Sequence, residues 1–183
     1  QKEWNQVTSE IVRLDSLAKA DPPNSTKFEN RISQLRIRRA RILKSASGKV
    51  PKSVEILTKQ YEQGQRWIVY CDSLDQLHLV LSELRKRHLP AAEYHYQMAG
   101  DRIETLRHFD LVGGIIVAIK CLDEGVDIPS VSHAMILASS KNPREFIQRR
   151  GRVLRRSENK FLSFIHDLLV VPFQNDDEEE SKG

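Results

Sequence analysis

Apolar residues recur at helical spacing through the first sixty or so positions of the chain. Trp4, Val7, Ile11, Leu14 and Ala18 follow the three-and-four rhythm that puts side chains on one helix face. The segment Asp21–Ser25, "DPPNS", interrupts it, because two prolines cannot continue a helix. A second helix then carries Phe28, Ile32 and Leu35 on one side, and after "SASGK" a third carries Val54, Leu57 and Tyr61. The rhythm changes at Trp67. "RWIVYC" is a short apolar run, followed by an amphipathic helix marked by Leu74, Leu77, Val80, Leu81 and Leu84, with Asp72 or Ser73 as its N-cap. "AEYHYQ" reads as a second strand and "GDRIETLRHF" as a polar turn entering a helix. "GGIIVAIKC" is a strand apolar on both faces, "HAMILA" a fourth, "NPREFIQRR" a helix opened by Asn142 and Pro143, and "FLSFIHDLLV" a last strand.

Strands alternating with helices predict an α/β fold: a parallel β-sheet flanked by helices, preceded by a helical segment. The division expected is a helical lead-in or insertion over residues 1–64, the α/β domain over 65–173 and an acidic, disordered tail over 174–183. Ligands of such sheets bind beyond the carboxyl ends of the strands. The segments that follow the first three strands, "DS", "MAGDR" and "KCLDEGVD", are therefore expected on one rim.

Composition narrows the class. With 39% hydrophobic and 30% charged residues among 183, the chain has the make-up of a charged globular protein. No apolar run approaches the roughly 18 residues that span a membrane, so a cytoplasmic setting is expected. The chain starts at Gln1, which suggests a piece of something longer. The net charge of +4 is mild, but bases cluster at Arg31–Lys52 and Lys141–Arg156. Such clusters are the electrostatic footprint of a nucleic acid or nucleotide, or simply a solvated helix face. Cys71 and Cys121 lack metal-ligand or disulfide spacing, which fits buried thiols in a reducing compartment. The six histidines are scattered, and no metal cluster is expected from them.

The chemistry concentrates in "QRRGRVLR". At about 100° per residue, Gln148, Arg152 and Arg155 share a helix face, with Phe146, Ile147, Val153 and Leu154 broadly opposite. Arginine forks suit phosphate or carboxylate, although a basic surface helix decorated for solubility has the same spacing. Gly151 leaves room for another surface to come close. Upstream, "CLDEGVDIP" is a carboxylate-bearing turn whose Asp127 either accepts from sugar hydroxyls or caps the turn before Pro129. No phosphate loop is present, since "SASGKV" lacks the first glycine and places valine after lysine, and no paired acidic motif offers a magnesium site.

The stretch "IIVAIKCLDEGVDIPSVSHAMILASSKNPREFIQRRGRVLR" resembles the C-terminal RecA-like domain of superfamily 2 helicases and translocases. Within it "EGVDIP" looks like motif V and "QRRGRVLR" like motif VI, while "RWIVYCDS" resembles motif IV and "YQMAGDR" the turn after the next strand. The likeness covers about Gln65 to Pro172, and its ending is most similar to bacterial DEAD/DEAH-box proteins of the restriction-enzyme and DNA-repair type. It implies a RecA-like domain without its own P-loop, half of an ATP-driven DNA motor, with RNA as the alternative track. ATP and Mg2+ would be held mainly by a separate N-terminal RecA-like domain of the parent chain. Arg155 would be the arginine finger, with Arg152 and Gln148 beside it. Asp127, Gly125 and Glu124 would face the nucleotide. Ser73, Gly100, Arg102, Ile119 and Lys120 would face the nucleic-acid backbone. No metal ligands are implied. Ile119-Lys120 departs from the Thr-Asp of many relatives; isoleucine cannot make the hydroxyl contact to phosphate, which leaves either the Lys120 charge or the backbone to serve there. The contrasting expectation is a non-catalytic RecA-like module that docks nucleic acid or protein and never completes an ATPase.

Overall fold

The structure is a computed structural model, and it describes residues 1–119, 131–138 and 162–171. The chain divides into two compact units, one around Gln1–Leu43 and one over Lys44–Leu169. In the first, helix α1 (Lys2–Ala20) is joined by a 3-10 turn (Pro22–Asn24) to α2 (Ser25–Lys44). Val7, Ile11 and Leu14 of α1 meet Ile32 and Leu35 of α2, with Phe28 and Ile42 against them. Several bases of α2 are engaged within this hairpin. Arg38 pairs with Glu3 at 2.9 Å, Arg31 with Glu10 at 3.3 Å, and the Arg39 guanidinium stands 5.8 Å from the Trp4 ring centre.

In the second unit α3 (Lys49–Gln60) leads into β1 (Arg66–Cys71), α4 (Leu74–Lys86), β2 (Ala91–Tyr94), α5 (Arg102–Val112), β3 (Gly114–Ile119), β4 (His133–Ile136) and β5 (Phe164–Asp167). The five strands form one parallel sheet in the order β2-β3-β1-β4-β5. The α/β class and the flanked parallel sheet expected from the sequence are what the chain adopts. Helix α3, read from sequence as part of the lead-in, packs on α4 and shares a core with the sheet.

Successive residues of β1 feed opposite cores. Trp67, Val69 and Cys71 join Val54, Leu57, Leu77, Val80 and Leu84 on the α3–α4 side. Ile68 and Tyr70 join Phe109, Ile116 and Ala134 on the α5 side. Burial on both faces explains why "WIVYC" and "GIIVAI" are apolar, and each large side chain so buried contributes about 1.5–3 kcal/mol. "AEYHYQ" is shorter as a strand than its sequence suggests. After Tyr94 the backbone turns, with the Met98 N–H donating to the His95 carbonyl at 3.3 Å and the Gln97 N–H to the His95 ring Nδ1 at 3.2 Å.

Candidate nucleic-acid and nucleotide face

The parallel pairing fixes which ends of the strands lie together. Cys71 is opposite Ile119, and Tyr70 and Tyr94 both lie beside Ala118, so the carboxyl ends of β1, β3 and β2 are neighbours. Connections leave β1 towards β2 but leave β4 towards β5, so their directions diverge between the adjacent strands β1 and β4. Open α/β sheets bind ligands at such a divergence.

Ser73 stands just beyond β1 as the exposed N-cap of α4, accepting from the Gln76 N–H at 3.3 Å. The side chain of Gln76, three residues on, returns to the Asp72 N–H at 2.9 Å and donates to the Lys44 carbonyl at 3.1 Å. Ser-x-x-Gln is a capping box in sequence, shifted here by one residue so that it ties down the end of β1. Lys44 closes the arrangement with its ammonium 3.0 Å from Asp72. Gly100 and Arg102 are exposed on the turn that leads from β2 into α5. Asp101 between them caps α5, its Oδ1 accepting from Ile103 N at 2.7 Å and Glu104 N at 3.3 Å. Ile119 ends β3 and is half-buried. The fold thus ends β3 at Ile119, and past the same ends of the neighbouring strands the chain continues into Ser73 after β1 and into Gly100 and Arg102, at the start of α5, after β2. Lys120, Glu124, Gly125, Asp127, Gln148, Arg152 and Arg155 lie outside the described residues, as do Cys121 and the helix expected at "NPREFIQRR".

Lys49 belongs to this end of the sheet and was not singled out as a site residue from sequence. It is 6% exposed, and its Nζ donates to the Leu137 carbonyl, just past β4, at 2.5 Å. Burial lowers its pKa, opposed by the charges of Asp167 and Asp72 and reinforced by Lys44. The signal was present in the sequence, because Lys49 falls four and eight residues before the buried Ser53 and Leu57, on the inward stripe of α3. Cys71 is buried as expected, and burial pushes its thiol up to about 12, which makes it a packing residue rather than a nucleophile. His133 stacks on Trp67 at 4.2 Å and on Phe164 at 5.0 Å, where burial, with His166 nearby, holds it down at about 4. Those rings sit at the opposite, amino-end half of the sheet, Trp67 in the core and Phe164 at the surface.

A five-stranded parallel sheet flanked by helices, with polar turns gathered at its carboxyl ends, is a RecA-like arrangement. Residues 48–157 match the model of the Helicase conserved C-terminal domain, and the chain belongs to that family, the C-terminal domains of superfamily 2 helicases. Among curated proteins it is 38% identical over 63 residues to the DNA 3'-5' translocase XPB2 of Sulfurisphaera tokodaii, covering 34% of this chain and 14% of that protein. It is 27% identical over 95 residues to the DEAD-box ATP-dependent RNA helicase 22 of Arabidopsis thaliana, covering 51% of this chain and 16% of that one. The matched stretches are thus a small part of these relatives' length. Among solved structures, domain 2 of the DEAD-box helicase Mss116p, bound to an RNA duplex, is similar with a TM-score of 0.56 and 22% identity over 66% of this chain and 50% of that one. UvsW of T4 is similar with a TM-score of 0.59 and 15% identity over 71% of this chain and 27% of that one. At such identities the likeness is one of fold. Among the described residues no helix is long and apolar enough to cross a membrane.

Proposed function

We propose that this domain is the C-terminal motor half of an ATP-dependent DNA helicase or translocase. The observation that carries the reading is the rim itself. Ile119 ends β3, and Ser73, Gly100 and Arg102 follow the same ends of its neighbours β1 and β2, in a chain whose "QRRGRVLR" keeps Gln148, Arg152 and Arg155 at one-face helical spacing. ATP with Mg2+ is cradled by an N-terminal RecA-like domain. Arg155, assisted by Arg152 and Gln148, reaches across to the transferring phosphoryl group, where stabilising the developing charge is worth on the order of 10³–10⁵ in rate. Asp127, Gly125 and Glu124 line the nucleotide side. Ser73, Gly100, Arg102, Ile119 and Lys120 track the backbone of the nucleic acid, contacts that hold position without reading sequence. The matched relatives include both a DNA translocase and RNA helicases; what favours DNA is the likeness of "GRVLR" and "FIHDLLVVP" to restriction-enzyme and DNA-repair-type proteins.

The test is ATP turnover by the full-length protein that carries this domain, with DNA or RNA added, beside its Arg155→Ala variant. DNA-stimulated turnover that falls by about 10³ or more in the variant is the expected result. Turnover unchanged by the substitution would remove Arg155 from the ATP site. Stimulation by RNA alone would reassign the track. No turnover in any form would leave a docking module.

A further inference from the structure

The histidines are dispersed along the sequence, yet the fold brings two of them together with a glutamate. His78 lies on α4, while Glu93 and His95 stand two residues apart at the end of β2, against which α4 packs. Glu93 Oε2 is 3.1 Å from His95 Nε2 and 3.8 Å from His78 Nε2, and the three prospective ligand atoms all lie within 4.8 Å of one another. Tetrahedral zinc with bonds of about 2.0–2.1 Å spaces its ligands roughly 3.3 Å apart. The two glutamate–histidine separations bracket that spacing. The exposed His78 can close the remaining distance by turning its side chain.

The surroundings set the cost of loading the site. The Gln97 N–H donates to His95 Nδ1, so a neutral ring carries its proton on Nε2, towards Glu93. A metal ion at Nε2 displaces that proton and moves the ring's hydrogen to Nδ1. The bond from the Gln97 backbone N–H is then given up, and that N–H and the new Nδ1–H, two donors facing each other, must each find another acceptor. Arg85 and Lys86 border the same hollow, but Lys86 is held by Glu83 at 2.6 Å. Two imidazoles and a carboxylate suit zinc better than they suit magnesium or calcium, which prefer all-oxygen shells.

We propose that His78, Glu93 and His95 form a binding site for a divalent transition-metal ion, zinc above others, with a fourth position open to water. The ion ties α4 to the turn that leaves β2 towards Gly100. This site is independent of the ATPase reading, since none of its three ligands is assigned to nucleotide or nucleic acid.

Zinc titrated into the full chain against a chromophoric chelator, with cobalt(II) as a spectroscopic stand-in, tests it. The expected result is one zinc per chain, visible absorption typical of tetrahedral cobalt, and a melting temperature raised by zinc. His78→Ala and Glu93→Gln should each weaken zinc binding by at least about tenfold, since loss even of an outer-shell partner costs that much. His78 is exposed, so its variant is expected to stay folded, whereas the buried His95 would confound the test. No stoichiometric binding, or binding equally tight in both variants with circular dichroism unchanged, would overturn the proposal.

Discussion

Gly64, in the turn before β1, and Gly113, at the junction between α5 and β3, offer a matched pair of substitutions that differ in backbone and in space. Gly64 has φ 86° and Gly113 φ 82°, so both occupy backbone that disfavours a side chain. A methyl group at Gly64 would meet nothing within 4 Å. At Gly113 it would lie 2.8 Å from each of three backbone atoms, the carbonyl carbon and oxygen of Gly64 and the carbonyl oxygen of Gln65. The Gln65 carbonyl is not free to retreat, because it accepts the Gly114 N–H at 2.8 Å at the start of β3. Gly64→Ala should therefore cost only the conformational penalty of about 1–2 kcal/mol. Gly113 also has ψ −163°, a region that is essentially glycine's own, which adds to the penalty and gives about 1–3 kcal/mol before any clash. Giving up or bending the Gln65–Gly114 bond costs about 1 kcal/mol more, and relieving three sub-van-der-Waals contacts adds to it.

Gly113→Ala is then expected to be the more destabilising of the two by roughly 2 kcal/mol. At about 2–4 °C per kcal/mol for a chain of this size, it should melt some 4–8 °C below Gly64→Ala. Urea unfolding followed by circular dichroism should agree, with midpoints separated and slopes alike. Equal midpoints, or a milder Gly113→Ala, would refute the reasoning, because the two positions share φ while both ψ and the surrounding backbone weigh against a side chain at Gly113. The consequence reaches the rim: Gly113 sets where β3 begins, and the register with β1 carries that setting to Ile119 at its far end.

Two further outcomes follow from the same physical description. Lys49→Met should lose stability relative to wild type as pH rises towards 10.5; with its pKa lowered in the fold, wild-type Lys49 sheds its proton before the unfolded chain does, gaining stability across that window, and methionine cannot. The difference between their urea midpoints measured at neutral and alkaline pH checks this. Asp101→Ala should cost about 1 kcal/mol by removing the acceptor for two amides of the first turn of α5, a loss readable in thermal melts.

Much of this architecture was legible because its causes are local. Strands buried on both faces are apolar throughout, helices carry a one-sided stripe, and Ser73 and Asp101 sit where caps belong, so the elements and their parallel class followed from spacing. Strand order is a long-range property, and nothing in "AEYHYQ" says that β3 lies between it and β1. The end of β2 was misplaced for a related reason. Its alternation continues past Tyr94, but His95 supplies a carbonyl and a ring nitrogen to its own following residues and turns the chain. His78, Glu93 and His95 were invisible as a group because they meet only when α4 covers β2. Lys49 was legible in principle, four residues before Ser53 on a buried stripe, but a lysine at a helix start is ordinarily read as solvent-facing.

The side chains that hold the rim differ in kind from those proposed to act on it. Asp72 N–H, the Lys44 carbonyl and the Leu137 carbonyl are backbone groups at or beyond the ends of α2, β1 and β4, and each is met by a buried side chain, Gln76 or Lys49. An unmet buried backbone group costs about 1–3 kcal/mol, so these bonds favour one position for each end. Ser73, Gly100 and Arg102 are exposed on the turns beyond. Strand ends fixed by buried polar contacts, with exposed residues on short turns past them, make a surface in which sequence can change at the turns without moving the sheet. Substitutions at Gln76 or Lys49 should for that reason lower stability along with any activity, while those at Ser73's neighbours on the exposed turns should separate the two.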